Sequence, residues 1–197
     1  MSAAATMAPG RLFGRAVATA WRPEDLERKF AVEEDLIAKG IKGLELERRG
    51  RLILARFGIQ PLLEKLGFNT LVNGGTAIML DGLIGAGITA YNNANAALGV
   101  GDSSAAFALG QTNLQGAVNV TDRIRKAMDA TFPSRAANVV TFRSTFATGD
   151  ANFQWNEWAI FNAVADGSGT MLNRSVVNLG TKTSAASWQL TSTLTQS

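Results

Sequence analysis

The stretch "ANFQWNEWAIFNA", residues 151–163, decides how the second half of this chain folds. The whole chain has 10 Phe, 4 Trp and 1 Tyr, and four of these lie within nine positions here: Phe153, Trp155, Trp158 and Phe161. Successive side chains of a β-strand point to opposite faces, so both faces of this strand carry bulky aromatic groups. The sequence favours a sandwich core for Trp158 and Ile160.

A strand in a monomeric sandwich needs only one apolar face, so the second aromatic face needs an explanation. Either a bulge near Asn156 or Glu157 changes the parity of the strand, or another subunit covers the second face. Aromatic side chains are the usual anchors of subunit interfaces. The second explanation predicts interface positions at Trp155 and Phe161.

Glu157 is the only acid of this stretch, which invites its interpretation as a general acid or base. No second carboxylate lies at a recognisable spacing from it. Arg143 and Arg174, on predicted neighbouring strands, could each pair with Glu157. The sequence therefore predicts a structural ion pair between Glu157 and Arg143 or Arg174.

The composition removes most catalytic chemistry. The chain has 197 residues, 46% of them hydrophobic, which is enough for one core, and it contains no Cys and no His. This excludes disulfides, thiolate nucleophiles, imidazole bases and the usual zinc sites. We therefore predict no catalytic residue, no metal and no cofactor.

Charge is distributed unevenly along the chain, whose net charge is +3. Residues 1–72 hold 12 Lys or Arg and 9 Asp or Glu, whereas residues 73–197 hold 7 of each kind. This change places a boundary near Asn69 to Gly75. The predicted organisation is an extended basic arm over residues 1–22, a helical docking region over residues 23–68 and a β-sandwich over residues 69–197.

The first 22 residues carry three arginines and no acid, a pattern of an extended basic arm or, alternatively, of an organelle transit peptide. We favour the arm. An Ala-rich terminus is seldom ordered unless something holds it, and a neighbouring subunit would do so. The arm and the first helix then supply these interface positions: Arg11, Phe13, Arg15, Trp21, Leu26 and Phe30.

Helical spacing follows the arm. The sequence predicts one helix over residues 23–40, a second over residues 44–58 that bends or breaks at Gly50, and a short third over residues 61–67. Acids lie among the bases of these helices and no aromatic platform accompanies them, so we predict no nucleic-acid binding.

Beyond the boundary the period changes towards two. The apolar stretch at residues 76–90 contains Asp81 and is too short to span a bilayer, so it is predicted as a buried strand and turn rather than a membrane segment. "VVTFRSTF" (139–146) and "WQLTSTLT" (188–195) alternate apolar and polar side chains, which predicts half-buried strands. The predicted fold class is α+β, with an arm and two or three helices followed by an antiparallel β-sandwich.

Five segments in this half carry a resemblance when they are taken in order. They are "LGVGDSSAAFALGQTNLQGA" (98–117), "RKAMDATFPSR" (125–135), "WNEWAIFNA" (155–163), "GTMLNRSV" (169–176) and "WQLTSTLT" (188–195). Together they resemble a small β-sandwich module of tailed-bacteriophage virion proteins, with its Thr-x-Leu, N-E-x-x-x-F-N and M-L-x-R motifs. The match covers roughly residues 69–197.

The resemblance implies a non-enzymatic structural part of the virion, made in the host cytoplasm, most readily of head-decoration or minor-capsid type. Its implied partners are major capsid or tail proteins and further copies of the chain. A tail-side collar, fibre or adhesin component that binds a host glycan is the alternative, since one fold serves several positions. A third hypothesis is a carbohydrate hydrolase that uses Glu157 with an Asp.

Overall fold

The computed structural model describes residues 12–196, and this part of the chain forms three α-helices and nine β-strands. The helices are α1 (Pro23–Ala38), α2 (Gly43–Arg56) and α3 (Asn73–Leu83). The strands are β1 (Leu12–Trp21), β2 (Leu63–Leu71), β3 (Ala97–Gly101), β4 (Arg123–Ala127), β5 (Ser134–Ala136), β6 (Val139–Phe146), β7 (Gln154–Phe161), β8 (Met171–Thr181) and β9 (Ser187–Gln196). The predicted α+β class with antiparallel strands is confirmed.

The strands form one antiparallel ladder in the order β4-β3-β7-β8-β2-β1-β9-β6-β5. The ladder is narrowest between β2 and β8, where only Thr70 with Arg174 and Leu71 with Asn173 are paired. This short contact joins two groups of strands. One group is β4-β3-β7-β8, and the other is β2-β1-β9-β6-β5. Side chains of both groups belong to one large hydrophobic core.

Strand β1 corrects the prediction of a separate arm for residues 12–21; residues 1–11 of that predicted arm lie outside the described part of the chain. Strand β1 lies between β2 and β9 and pairs with both along its length. Ala16, Ala18 and Ala20 alternate along it and are all buried. Alanine has low strand propensity, which hid the period of two from the sequence analysis. Residues 12–21 are thus an integral part of the sheet.

Two further predicted elements are corrected. The short helix predicted over residues 61–67 is largely the start of β2, because pairing with β1 overrides the local helical spacing. The predicted boundary between residues 68 and 69 therefore falls inside a strand. The buried strand predicted within residues 76–90 is instead helix α3 and a following loop, and most of it is exposed. Helix α2 passes through Gly50 without a break.

Strand β7 contains the predicted bulge. Its register with β8 shifts between Trp155 and Glu157, which turns the parity of the strand at this point. Trp155, Trp158 and Ile160 all lie in the main core, where the Trp155 ring meets Phe146 edge-on at a centroid distance of 4.8 Å. The bulge therefore puts both tryptophans on the same side, as the first explanation required.

The second face of β7 is also buried, and residues of this chain cover it. Ala159 and Phe161 pack in a smaller cluster with Leu114 and Phe107, which belong to the long loop between β3 and β4. Trp155 and Phe161 have no exposed surface. The prediction of a subunit interface at these two residues is therefore wrong, because the main core encloses Trp155 and the β3–β4 loop covers Phe161.

Helices α1 and α2 pack against each other and against the strand group that contains β1, β5 and β6. Trp21, Leu26, Leu54 and Ile59 form a cluster between them. Within residues 12–196, no helix is long and apolar enough to cross a membrane.

Candidate functional site

Glu157 lies at the centre of a buried polar cluster that fastens the β3–β4 loop to the sheet. Its side chain is inaccessible to solvent and accepts hydrogen bonds from the backbone N–H groups of Gln115, at 2.8 Å, and Gly116, at 2.7 Å. Arg174 Nε donates to Glu157 Oε2 at 2.6 Å, and both partners of this ion pair are fully buried. Of the two arginines predicted to pair with Glu157, Arg174 forms the ion pair.

Arg174 extends the cluster along the same loop. Its Nη1 donates to the Gln111 side-chain oxygen at 3.0 Å and its Nη2 to the Ala105 carbonyl at 2.9 Å. Each of the three guanidinium nitrogens therefore has a protein acceptor. A carboxylate so enclosed and so fully bonded holds a loop in place and has no free face for a sugar substrate.

Two more arginines hold the hairpin between β7 and β8. Arg125 Nη1 donates to the Ser168 carbonyl at 2.8 Å, and its guanidinium lies 3.5 Å from the Phe161 ring centroid. Burial lowers the pKa of Arg125 to about 10. Arg123 Nη2 lies 2.6 Å from an Asp166 carboxylate oxygen. Arginine side chains of β4 thus fasten the β7–β8 loop to the sheet.

Arg143 lies in a second buried cluster, between the helices and β6. Its Nη1 donates to Glu33 at 2.9 Å and to Glu47 at 2.7 Å, and its Nε donates to Asp129 at 2.9 Å. Lys29 also contacts Glu33. The cluster joins α1, α2 and the sheet, and Arg143 is its central cation.

The electrostatics of this cluster favour its ionised form. Burial alone would raise the pKa of Glu47, but the charges of Lys29 and Arg143 outweigh it and hold that pKa below its ordinary value. Burial would lower the pKa of Arg143, and the carboxylates of Glu47, Glu33 and Asp129 raise it instead. Glu47 and Arg143 therefore stay charged at neutral pH, and their ion pair connects α2 to the sheet.

The remaining predicted interface residues fall into three groups. Trp21 and Leu26 are buried between β1 and the helices, and Phe30 is half-buried beside them, so this chain already uses these side chains in its own packing. Arg15 is exposed on β1. Arg11 and the side chain of Phe13 lie outside the described part of the chain.

An exposed apolar surface lies at the C-terminal end of α3, where the sequence predicted a buried strand. We call the exposed side chains of Leu80, Leu83 and Ile84 the α3 ridge; they are 57%, 82% and 81% exposed. Residues 80, 83 and 84 lie on the side of the helix turned away from Ile78 and Gly82, given 100° per residue. Leaving such side chains in water costs free energy, so a contiguous ridge of them is typical of an interaction surface.

A groove lies beneath the other side of α3, and we call it the α3 groove. It has a volume of about 540 Å³. Its apolar walls come from α3, the following loop and the sheet: Ile78, Met79, Ile88, Val140, Phe142 and Leu172. Arg135, Asn138 and Gln196 form its polar rim. Tyr91 also borders the groove; its hydroxyl donates to the Thr170 carbonyl at 2.8 Å, and burial raises its pKa.

The sequence analysis missed the α3 surface and the carboxylates Glu33, Glu47 and Asp129. A signal for Glu33 was available, because Lys29 and Glu33 share the helical face of Leu26 and Leu36, where charges are unusual unless they are paired.

Within residues 12–196, no cluster of three or more acidic side chains is arranged to hold a metal ion.

Comparison with protein-family models, curated proteins and solved structures found no match for this chain. The resemblance to phage virion proteins therefore stays a prediction.

Gly75 controls how closely α3 approaches the sheet. A Cβ atom on Gly75 would overlap the carbonyl oxygen of Leu172 in β8, which is backbone and has no rotamer to change. We expect Gly75→Ala to push α3 outward and to lower the free energy of unfolding by about 1–3 kcal/mol, measured by urea denaturation. Gly87→Ala is the matched control, because a Cβ at Gly87 meets no atom within 4 Å. Equal effects of both substitutions would contradict this account of α3.

Proposed function

We propose that this chain is a non-enzymatic structural protein of a tailed-bacteriophage particle, of head-decoration or minor-capsid type, that docks on neighbouring subunits. The observation that carries the proposal is the exposed apolar surface of α3. A chain with 46% hydrophobic residues has enough apolar side chains for its core, and yet it leaves Leu80, Leu83 and Ile84 in solvent. Burying each of them against a neighbour would contribute about 1.5–3 kcal/mol.

The motifs of the resemblance support the same proposal, because they meet in one structural cluster. Leu114 of Thr-x-Leu, Glu157 and Phe161 of N-E-x-x-x-F-N, and Met171 and Arg174 of M-L-x-R all lie at the β3–β4 loop and the strands beneath it. Their contacts are packing, hydrogen bonds and one ion pair. Motifs of this kind specify a scaffold.

The proposal includes a β-sandwich as the body of the protein. The two strand groups on either side of the β2–β8 contact would then be its two sheets, packed across the main core. The docking element is α3 with its following loop, instead of the arm that the sequence suggested.

The test is incorporation into particles. We expect quantitative mass spectrometry of purified virions to find this chain in many copies relative to the major capsid protein. We expect Leu80→Glu to reduce that copy number severalfold, because a buried unpaired charge opposes docking. Leu52→Glu is the matched control, since Leu52 is a helical Leu of nearly the same exposure, 56%, on α2.

The outcomes separate the alternatives. Absence of the chain from purified particles would overturn the proposal. A low copy number would place the chain on the tail side and favour the collar, fibre or adhesin alternative, for which glycan binding is the next measurement. If Leu80→Glu and Leu52→Glu both incorporate normally, α3 is not the docking element.

A further inference from the structure

We propose that the partner of the α3 surface is a second copy of this chain, with the α3 ridge of each copy seated in the α3 groove of the other. This inference deepens the proposed function, and rests on its assembly role, by naming the partner and the residues that would meet. It is carried by three properties of the surface: matching apolar character, room in the groove and complementary charge.

The apolar match comes first. The ridge presents large aliphatic side chains, and the groove walls next to it are aliphatic and aromatic. A groove volume of about 540 Å³ falls within the range of about 300–1,000 Å³ seen for pockets that enclose whole ligands. The groove therefore has room for the side chains of Leu83 and Ile84 from a neighbouring copy.

The charges are complementary as well. Asp81 is the only charged residue between Lys65 and Asp102, and it lies on exposed α3 beside the ridge. Arg135 lies on the exposed rim of the groove, where Nη1 donates to the Ala137 carbonyl at 2.6 Å and the other guanidinium donors point to no carboxylate. Among the described residues, neither Asp81 nor Arg135 has an opposite charge within salt-bridge distance. When the ridge of one copy enters the groove of another, Asp81 comes to the rim that carries Arg135.

The simplest closed assembly of two copies is a two-fold dimer. In an isologous dimer the same patch serves both copies, so residue i of one copy contacts residue j of the other and the reverse contact also forms. Asp81 and Arg135 would then form two equivalent ion pairs that flank the apolar contact. Such pairs mainly fix the register and exclude wrong partners, while the aliphatic side chains supply most of the affinity.

A charge-swap series on the purified full-length chain tests this inference by sedimentation equilibrium. We expect the native chain to self-associate, and we expect Asp81→Arg and Arg135→Asp each to weaken the dimer by about tenfold, since each places like charges together. The double variant reverses both charges and restores the pairing, so its dissociation constant is expected to return close to the native value. Both positions are exposed, so we expect each variant to fold as the native chain does, and circular dichroism verifies this.

Three results would overturn the inference: a native chain that stays monomeric, single variants that associate as the native chain does, and a double variant that is no better than the singles. A failure here is distinguishable from a failure of the proposed function. A monomeric chain that is abundant in particles means that α3 docks on a different virion protein. A dimeric chain that is absent from particles removes the virion role and leaves the dimer.

Discussion

Arg143→Met is expected to lower the free energy of unfolding by about 3–5 kcal/mol at pH 7, the usual cost of removing one partner from a buried ionic cluster. Arg143 is 3% exposed and is the cation shared by Glu33, Glu47 and Asp129. Without it, the buried carboxylates of Glu33 and Glu47 and the partly buried one of Asp129 face one remaining cation of the cluster, Lys29. Methionine fills a similar volume, so the loss reports charge more than packing.

The pH dependence gives this prediction a sign. In the native chain the pKa of Glu47 is lowered from its ordinary value of 4.5, so its ion pairs stabilise the fold above that pH, and the stabilisation is lost as the pH falls through the folded-state pKa. In Arg143→Met the charge and the hydrogen bond of Arg143 are gone, whereas burial, the largest influence on Glu47, remains, so the pKa of Glu47 rises relative to the native chain. Protonation of Glu47 then removes a buried negative charge from the variant as the pH falls, so the free-energy cost of losing Arg143 becomes smaller.

We therefore expect the stability difference between the native chain and Arg143→Met to shrink as the pH falls from 7 towards 4. Urea denaturation at several pH values within this window measures it. Arg48→Met is the control, because Arg48 pairs only with exposed Glu45 on the surface of α2 and its loss should leave stability nearly unchanged. A difference that stays constant over this range would mean that Arg143 stabilises the fold through packing alone.

The alternating strands were readable from the sequence because one property, the period of two, fixes them. "VVTFRSTF" forms β6 and "WQLTSTLT" lies within β9, as predicted, but the strands are not half-buried, because polar side chains such as Arg143 and Gln189 are buried as well. The predicted bulge in β7 is also confirmed, since it places Trp155 and Trp158, which alternation alone would separate, on the same side. Local sequence suffices where a pattern admits only one packing arrangement.

The missed elements have a common physical cause, which is that their structure depends on distant partners. Strand β1 is stabilised by β2 and β9, and its alternating alanines give little local signal. In residues 61–67, helical spacing was overridden by pairing with β1. For α3, a run of apolar residues without a clear period does not distinguish a strand from a helix. The long β3–β4 loop was the least predictable, because its order depends on Glu157 and Arg174, which are distant in sequence, as well as on its own residues.

This last dependence predicts the behaviour of Glu157→Leu, which we expect to lower the free energy of unfolding by about 3–5 kcal/mol. The substitution leaves Arg174 buried without its carboxylate and leaves the N–H groups of Gln115 and Gly116 without their acceptor. Amide hydrogen exchange should therefore rise first at Gly116, which is buried in the native chain, and spread along the β3–β4 loop.

Glu157→Gln separates the charge from the hydrogen bonds. The amide oxygen of Gln can still accept from Gly116, so we expect this variant to retain more exchange protection in the loop than Glu157→Leu, although Arg174 loses its counter-charge in both. Asp35→Asn is the control, because Asp35 pairs with Lys39 where both side chains are about 60% exposed. If Glu157→Leu leaves loop exchange unchanged, the loop is held by Leu114 and its apolar neighbours, and the ion pair is incidental to its order. If both Glu157 variants open the loop while the rest of the sheet stays protected, Glu157 and Arg174 form the contact that gives β7 its second buried face.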